Sequence, residues 1–171
     1  MAVLDILKYG NPILKEPCDL VKDFSKLPPI IDDMFDSMYE AEGIGLAANQ
    51  VGINLKLFIV DITHTGETEN THVFINGTVM KCSKETEYFE EGCLSVPGVN
   101  LNIIRPKEIT FRYQTIDEKW HQKEFNGLFA KVIQHEMDHL NGILIVDRVT
   151  ALEKMKHQKK LSELMDISKS K

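Results

Sequence analysis

Cysteine is scarce in this chain: Cys18, Cys82 and Cys93 are the only three among 171 residues. An odd set cannot all pair internally, which excludes a disulfide-stapled scaffold and points to a reducing compartment with thiols that are buried or metal-bound. Long hydrophobic runs are missing too. The longest, such as Leu57-Phe58-Ile59-Val60, fall far short of the roughly 20 apolar residues that cross a bilayer. Residues 1–25 carry Asp5, Asp19 and Asp23 and no long apolar segment, so neither a signal peptide nor an Arg-rich transit sequence is expected, and the cytoplasm is the expected location. Basic charge is short: 20 Lys and Arg against 26 Asp and Glu leave −6, which disfavours a general nucleic-acid binder, and no DNA or membrane partner is expected. What is present, 43% apolar and 27% charged residues, excludes a collagenous, mucin-like or disordered chain and suits one globular domain.

The charge is uneven. Residues 151–171 hold six lysines against Glu153, Glu163 and Asp166, a local +3 that leaves −9 for the rest. This is either a solvated helix face or a basic helix that docks on an anionic partner. Periodicity predicts a helix over 28–41, from Ile30, Ile31, Met34, Phe35 and Met38, with Pro28-Pro29 in its first turn and Gly43 as the left-handed residue at its end. A glycine-rich turn follows, then a buried strand over 56–62 and a loop over 63–72. Segments 72–81, 84–91, 107–114 and 118–124 read as β. The strongest helix spans 125–141, closed by Gly142, after which 143–146 reads as extended and 150–165 as a third helix. Strands in sequence followed by a long helix predict an α+β fold, antiparallel sheets packed around that central helix. One domain is expected over 1–171: a catalytic core over 1–148, and a C-terminal helix with a loose tail over 149–171.

The strongest chemical signal is His135-Glu136-Met137-Asp138-His139 inside the predicted central helix. Residues four apart share a helix face, so both imidazoles can bind one ion, and Glu136 lies beside it, placed to take a proton from metal-bound water. Two histidines do not complete a catalytic site, which normally has three protein ligands and an open position. Residues 140–146 hold no His, Glu or Asp, and Asp147, Glu153 and His157 lack local support. Cys93, in Glu91-Gly92-Cys93-Leu94-Ser95, follows a glycine at the end of a β run and is the better third ligand. Gly43-Ile44-Gly45-Leu46-Ala47-Ala48-Asn49-Gln50 lets other backbone approach closely and supplies an amide donor, or is simply a helix cap with a tight turn. His64, His72 and His121 fall in loop or strand-edge positions and read as solvated; Cys18 and Cys82 read as ordinary thiols.

Together, Gly43-x-Gly45-x-Ala47-Ala48-x-Gln50, Glu91-Gly92-Cys93-Leu94-Ser95 and Gln134-His135-Glu136-x-Asp138-His139 resemble the three motifs of the peptide deformylase family, in order and spacing, over residues 3 to 148. The resemblance implies a metal-dependent hydrolase that removes the formyl group from the N-terminal formyl-methionine of newly synthesised polypeptides. It implies Cys93, His135 and His139 as ligands of one divalent ion, Fe2+ by preference and replaceable by Zn2+, Ni2+ or Co2+. A water would fill the fourth position, with Glu136 as general base and then acid, and Gln50 with the Leu94 N–H as oxyanion hole. Ile44, Phe89, Leu128, Lys131 and Val132 would surround the methionine side chain. The peptide would pair by backbone with residues around Gly43, Gly45 and Gly92, as an added strand. A weak ribosome contact through the C-terminal helix is also implied, and a monomer is expected.

Three positions depart from the family pattern. Asn49 replaces a frequent proline, which should loosen the turn before Gln50. Lys131 replaces an aliphatic residue; either its stem lines the pocket with the ammonium in solvent, or the pocket is altered. Asn100 stands where some members carry a basic residue. Arg105 matches a recurrent arginine and is expected to pair with Glu91 or Asp138. Two other readings of the residues are a zinc endopeptidase using the same His-Glu-x-x-His mechanics and a silent metal-binding module that docks through 151–171.

Overall fold

The run Leu57-Phe58-Ile59-Val60 is buried along its whole length because it lies where the layers of the molecule meet. In a computed structural model, which describes residues 2–169, it forms β2 (Leu57–Val60) in a five-stranded antiparallel sheet. The other strands of that sheet are β1 (Gly45–Ala47), β3 (His72–Cys82), β6 (Ile109–Gln114) and β7 (Trp120–Phe125), in the order β1-β2-β3-β6-β7. Between β3 and β6 in sequence, β4 (Thr86–Cys93) and β5 (Val96–Pro106) form a separate antiparallel ribbon. Helix α1 (Leu27–Glu40) covers one face of the sheet, and α2 (Gly127–Leu140) the other. Side chains alternate along β2, so Leu57 and Ile59 pack with Met34 and Met38 of α1, while Phe58 and Val60 pack with Phe129 and Ile133 of α2. A strand buried on both faces reads as an unbroken apolar run. The observed architecture is the expected α+β arrangement around a central helix.

Helix α1 begins at its two prolines, as predicted, but its left-handed end residue is Glu42 (φ 58°), not Gly43. Gly43 instead lies close to Leu94: a Cβ there would come within 2.6 Å of the end of that side chain, which would have to shift. The glycine-rich stretch is also more ordered than a turn. Residues 45–47 pair with β2, and 48–51 form one turn of 3-10 helix carrying Asn49 and Gln50.

Helix α2 has no cap from its own N-terminal residue Asn126. Glu67, sixty residues upstream, does the work from the 63–71 loop: its two carboxylate oxygens accept the Leu128 N–H at 3.2 Å and the Phe129 N–H at 3.1 Å. A carboxylate on the first free amides also favours the helix dipole. Glu67→Ala is expected to lose about 1 kcal/mol, lowering Tm by roughly 2–4 °C in calorimetry. Glu67→Gln, which keeps an acceptor oxygen, should lose less; equal melting of the Ala variant and the native chain would show that the cap contributes nothing.

Strand β5 was not anticipated. Its outward positions hold Gly98, Asn100 and Asn102, poor strand formers, yet Val99, Leu101, Ile103 and Arg105 alternate inward and are buried. Its apolar side packs with Leu144, Ile145 and Val146; Leu144 is extended, but Ile145 and Val146 begin a 3-10 turn over Ile145–Arg148 in place of the extended segment expected. The same cluster takes Leu161 and Leu164 of α4 (Gln158–Lys169). The single helix predicted over 150–165 is broken: α3 (Ala151–Met155) ends before His157, and α4 follows. Residues 170 and 171 of the expected loose tail lie outside the described residues. His72 is not solvated as predicted; its ring stacks on Phe74 at 5.7 Å and meets Phe129 edge-on at 4.9 Å. Cys18 is half-buried, and burial pushes its thiol up to about 11.

Candidate metal centre

Four residues apart on α2, His135 and His139 bring their Nε2 atoms to 3.3 Å, and the Cys93 Sγ approaches His139 Nε2 at 3.2 Å. All three ligand atoms lie within 4.8 Å of one another. Atoms bound to a common tetrahedral ion by bonds of roughly 2.0–2.3 Å are themselves roughly 3.3–3.6 Å apart. The donor set, two imidazoles and a thiol, suits a borderline divalent ion. Among the described residues this is the one His/Cys/Asp/Glu group so converged. Asp147 instead pairs with Lys15, and Glu153, whose backbone N–H donates to the Thr150 cap of α3, faces Lys156, so neither competes as third ligand.

Behind the ligands runs a buried chain of charge. His135 Nδ1 and Glu91 Oε1 are 2.8 Å apart, which directs Nε2 of that ring toward the centre. Arg105 donates to Glu91 through Nη2 at 2.9 Å and to Asp138 through Nη1 at 3.0 Å, so the expected pairing is with both carboxylates at once. Arg148 adds two bonds to Asp138 from the surface side. Burial would raise the Glu91 carboxyl, but Arg105 and His135 outweigh it and hold it below the usual range. Burial likewise opposes charge on Arg105, and its two carboxylate partners override it upward.

Glu136 sits beside the three ligands. It is 3% exposed, and its Oε2 is buried with no hydrogen-bond partner among the described residues. Burial is the main reason its carboxyl rises to about 7, with nearby Glu91 adding and His135 opposing. Gly45 makes room for it: a Cβ there would lie 3.1 Å from the Glu136 carboxylate and from Val132. Gln50 is locked in place by its own oxygen, which accepts the Ala47 N–H at 2.9 Å; this turns Nε2 toward Ser95 Oγ at 3.1 Å and Cys93 Sγ at 3.8 Å. Leu94 occupies the turn between β4 and β5 directly after Cys93.

These groups open onto a cavity of about 380 Å³ between the β1 edge, the β4–β5 ribbon and α2. Of the expected site residues, all line it except the buried ligand His139 and Leu128. Leu128 packs against the large aromatic core. The Lys131 ammonium does not run to solvent; it pairs with Glu87 and lies 5.6 Å from the Phe89 ring centroid. Asn49 does not loosen its turn: it is buried, and its Nδ2 donates to the His139 carbonyl at 2.6 Å. Asn100 lines the cavity as a neutral group.

Residues 3–155 match the polypeptide deformylase family profile. The chain belongs to the polypeptide deformylase family. A peptide deformylase of Acidobacterium capsulatum is 38% identical over 90% of this chain and 91% of its own, and one of Zymomonas mobilis is 41% identical over 94% of each. Among solved structures, peptide deformylase of Plasmodium falciparum superposes with a TM-score of 0.92 at 36% identity, covering 97% of this chain and 98% of that one. A Legionella pneumophila peptide deformylase gives 0.88 at 35% identity over 99% of both. Membership makes the chain an enzyme, a hydrolase that removes N-terminal formyl groups. No described helix is long and apolar enough to cross a membrane.

Against this deformylase frame, sequence reading missed four partners. Ser95 stands in a quoted motif but received no role, though it is fully buried and holds Gln50. Asn49 and Arg148 tie α2 to its surroundings, and Glu87 neutralises Lys131. Asn49 was visible as an odd polar residue between an alanine pair and a glutamine; the Ser95 and Glu87 contacts join distant segments, and Arg148 reaches back ten residues to Asp138 without a periodic signal.

Proposed function

We propose that this chain hydrolyses the formyl group from the N-terminal formyl-methionine of newly made polypeptides, using one divalent ion, Fe2+ by preference, held by Cys93, His135 and His139. The convergence of those three ligand atoms beside a buried, unpartnered carboxylate oxygen of Glu136 carries the reading. An ion held there would supply Lewis-acid polarisation of the formyl carbonyl and would lower the pKa of a water toward neutrality. Glu136 takes the proton of the attacking water and later gives it to the leaving amine; a carboxyl near neutrality suits both transfers. The Gln50 Nε2 and the Leu94 N–H meet the negative charge that grows on the carbonyl oxygen, where losing one donor typically costs ~10²–10³ in rate. The C–N bond breaks, and formate and a free N-terminal amine leave. Gly43, Gly45 and Gly92 offer the peptide its backbone partners, and Ile44, Phe89, Lys131 and Val132 its first side-chain pocket. The Cys93 thiolate lowers the net charge of the centre and exposes it to oxidation. Residues 1–171 act as one monomeric domain, with 1–148 carrying the chemistry, in the cytoplasm where nascent chains emerge.

Purified without oxygen, the protein should hold roughly one metal per chain and release formate from formyl-Met-Ala-Ser but nothing from acetyl-Met-Ala-Ser. Cleavage of an unblocked internal peptide with no formate release would instead establish an endopeptidase. The basic C-terminal helices supply a weak ribosome contact. Because Leu161 and Leu164 are core residues, deletion would confuse docking with unfolding. Charge reversal at the exposed Lys156, Lys159 and Lys160 is the cleaner change, and unaltered ribosome co-sedimentation would remove the contact.

A further inference from the structure

The pocket for the first side chain has a feature that an apolar slot does not need. Lys131 lies one helical turn before His135 on the same face of α2, and it lines the cavity together with Phe89 and Val132. Its side chain is only 5% exposed. On β4, Glu87 and Phe89 are two residues apart and point to one face; the carboxylate of the first pairs with the ammonium, and the ring of the second lies 5.6 Å from it. The pairing holds the Glu87 carboxyl below its usual range.

An ammonium has three donors and no acceptor. One goes to Glu87, and the Gly127 carbonyl at 3.5 Å is at the outer limit of a hydrogen bond. Donor capacity is therefore left on a side chain that lines the pocket. Glu87 already neutralises the charge, so the complementary group in the pocket is a strong neutral acceptor and not a second carboxylate. A thioether sulfur is a weak acceptor. A sulfoxide keeps the length of the methionine side chain and adds one strongly accepting oxygen.

Resting on the deformylase reading above, we propose that Lys131 makes this enzyme accept N-formyl-methionine sulfoxide, so that chains whose first residue has been oxidised are still deformylated. In an all-aliphatic pocket the sulfoxide oxygen would be buried without a donor; here the Lys131 ammonium meets it. Lys131 is a specificity determinant in this proposal and takes no part in bond cleavage.

The test compares kcat/KM of the metal-loaded enzyme on formyl-Met-Ala-Ser, formyl-Met-sulfoxide-Ala-Ser and formyl-norleucyl-Ala-Ser, for the native chain, Lys131→Met and Lys131→Arg. An unmade bond to a buried acceptor predicts that the preference for Met over its sulfoxide rises about tenfold or more in Lys131→Met. Lys131→Arg, which keeps donors, should stay within about threefold of the native ratio. The preference for Met over norleucine, which has no acceptor, should move little in either variant. The proposal is overturned by an unchanged Met-to-sulfoxide ratio in Lys131→Met, or by a native enzyme that hydrolyses formyl-Met and ignores the sulfoxide. Should Lys131→Met not fold, Glu87→Gln decides: the ammonium freed from its carboxylate should lower the ratio by about threefold, and a constant or higher ratio overturns the idea. Absence of formate from formyl-Met itself would instead refute the deformylase reading.

Discussion

Glu136→Gln is expected to lower kcat on formyl-Met-Ala-Ser by about 10²–10⁴ while leaving the metal content unchanged. The substitution keeps shape and volume in a tight place, since Gly45 and Val132 pack directly against the carboxylate. It removes the one property the reaction needs, an oxygen that takes a proton near neutral pH and gives it back. Burial has raised this carboxyl to about 7, and its Oε2 has no protein partner among the described residues to be lost. Little folding cost is therefore expected. The ligands Cys93, His135 and His139 stay in place, so elemental analysis should still find the ion. A variant with full activity would sink the role assigned to Glu136. A variant that loses metal and activity together would show that Glu136 holds the site and leave its proton transfer without support.

Arg105→Met should be the most damaging change away from the reacting atoms. Arg105 is 3% exposed and joins Glu91 to Asp138, each at hydrogen-bond distance. Removing one partner of a buried ionic cluster typically costs about 3–5 kcal/mol, because the remaining charges are left in low dielectric. Asp138 keeps Arg148, but Glu91 keeps only His135. For a domain of this size the loss corresponds to a Tm lower by on the order of 10 °C. Glu91 also orients His135, so metal affinity should fall with stability, typically ~10–100-fold for such an outer partner. Scanning calorimetry with metal titration would check both. A Tm within about 2 °C of the native value would mean that water or a rearranged Arg148 replaces Arg105.

The secondary elements that sequence revealed were those whose burial follows a simple period. Helix α1 was legible from apolar residues at three- and four-residue spacing, and α2 from the same signal with both histidines already on one face. Strand β5 had an equally regular inward alternation of Val99, Leu101 and Ile103. Its intervening asparagines and glycine hid it, because they face solvent or the cavity and carry no sheet-packing signal. The left-handed residue after α1 was assigned to glycine by propensity. Tertiary packing instead placed the strain on Glu42 and kept Gly43 for contact with Leu94.

Local order in the chain was enough to determine the α+β class, the helix that carries His135, Glu136 and His139, and the three motifs that name the family. Those depend on residue type and spacing within about ten positions, where backbone geometry leaves few alternatives. The folded structure brings Cys93, already expected as third ligand, onto the two histidines, and it alone decided that Glu67 caps α2 and that Asn49 holds the His139 carbonyl. It alone decided that Lys131 turns to Glu87 and away from solvent. Each of these contacts joins groups more than 40 residues apart, and each is selected by desolvation: a polar group carried into the interior must end on whatever partner the packing of other segments brings within reach.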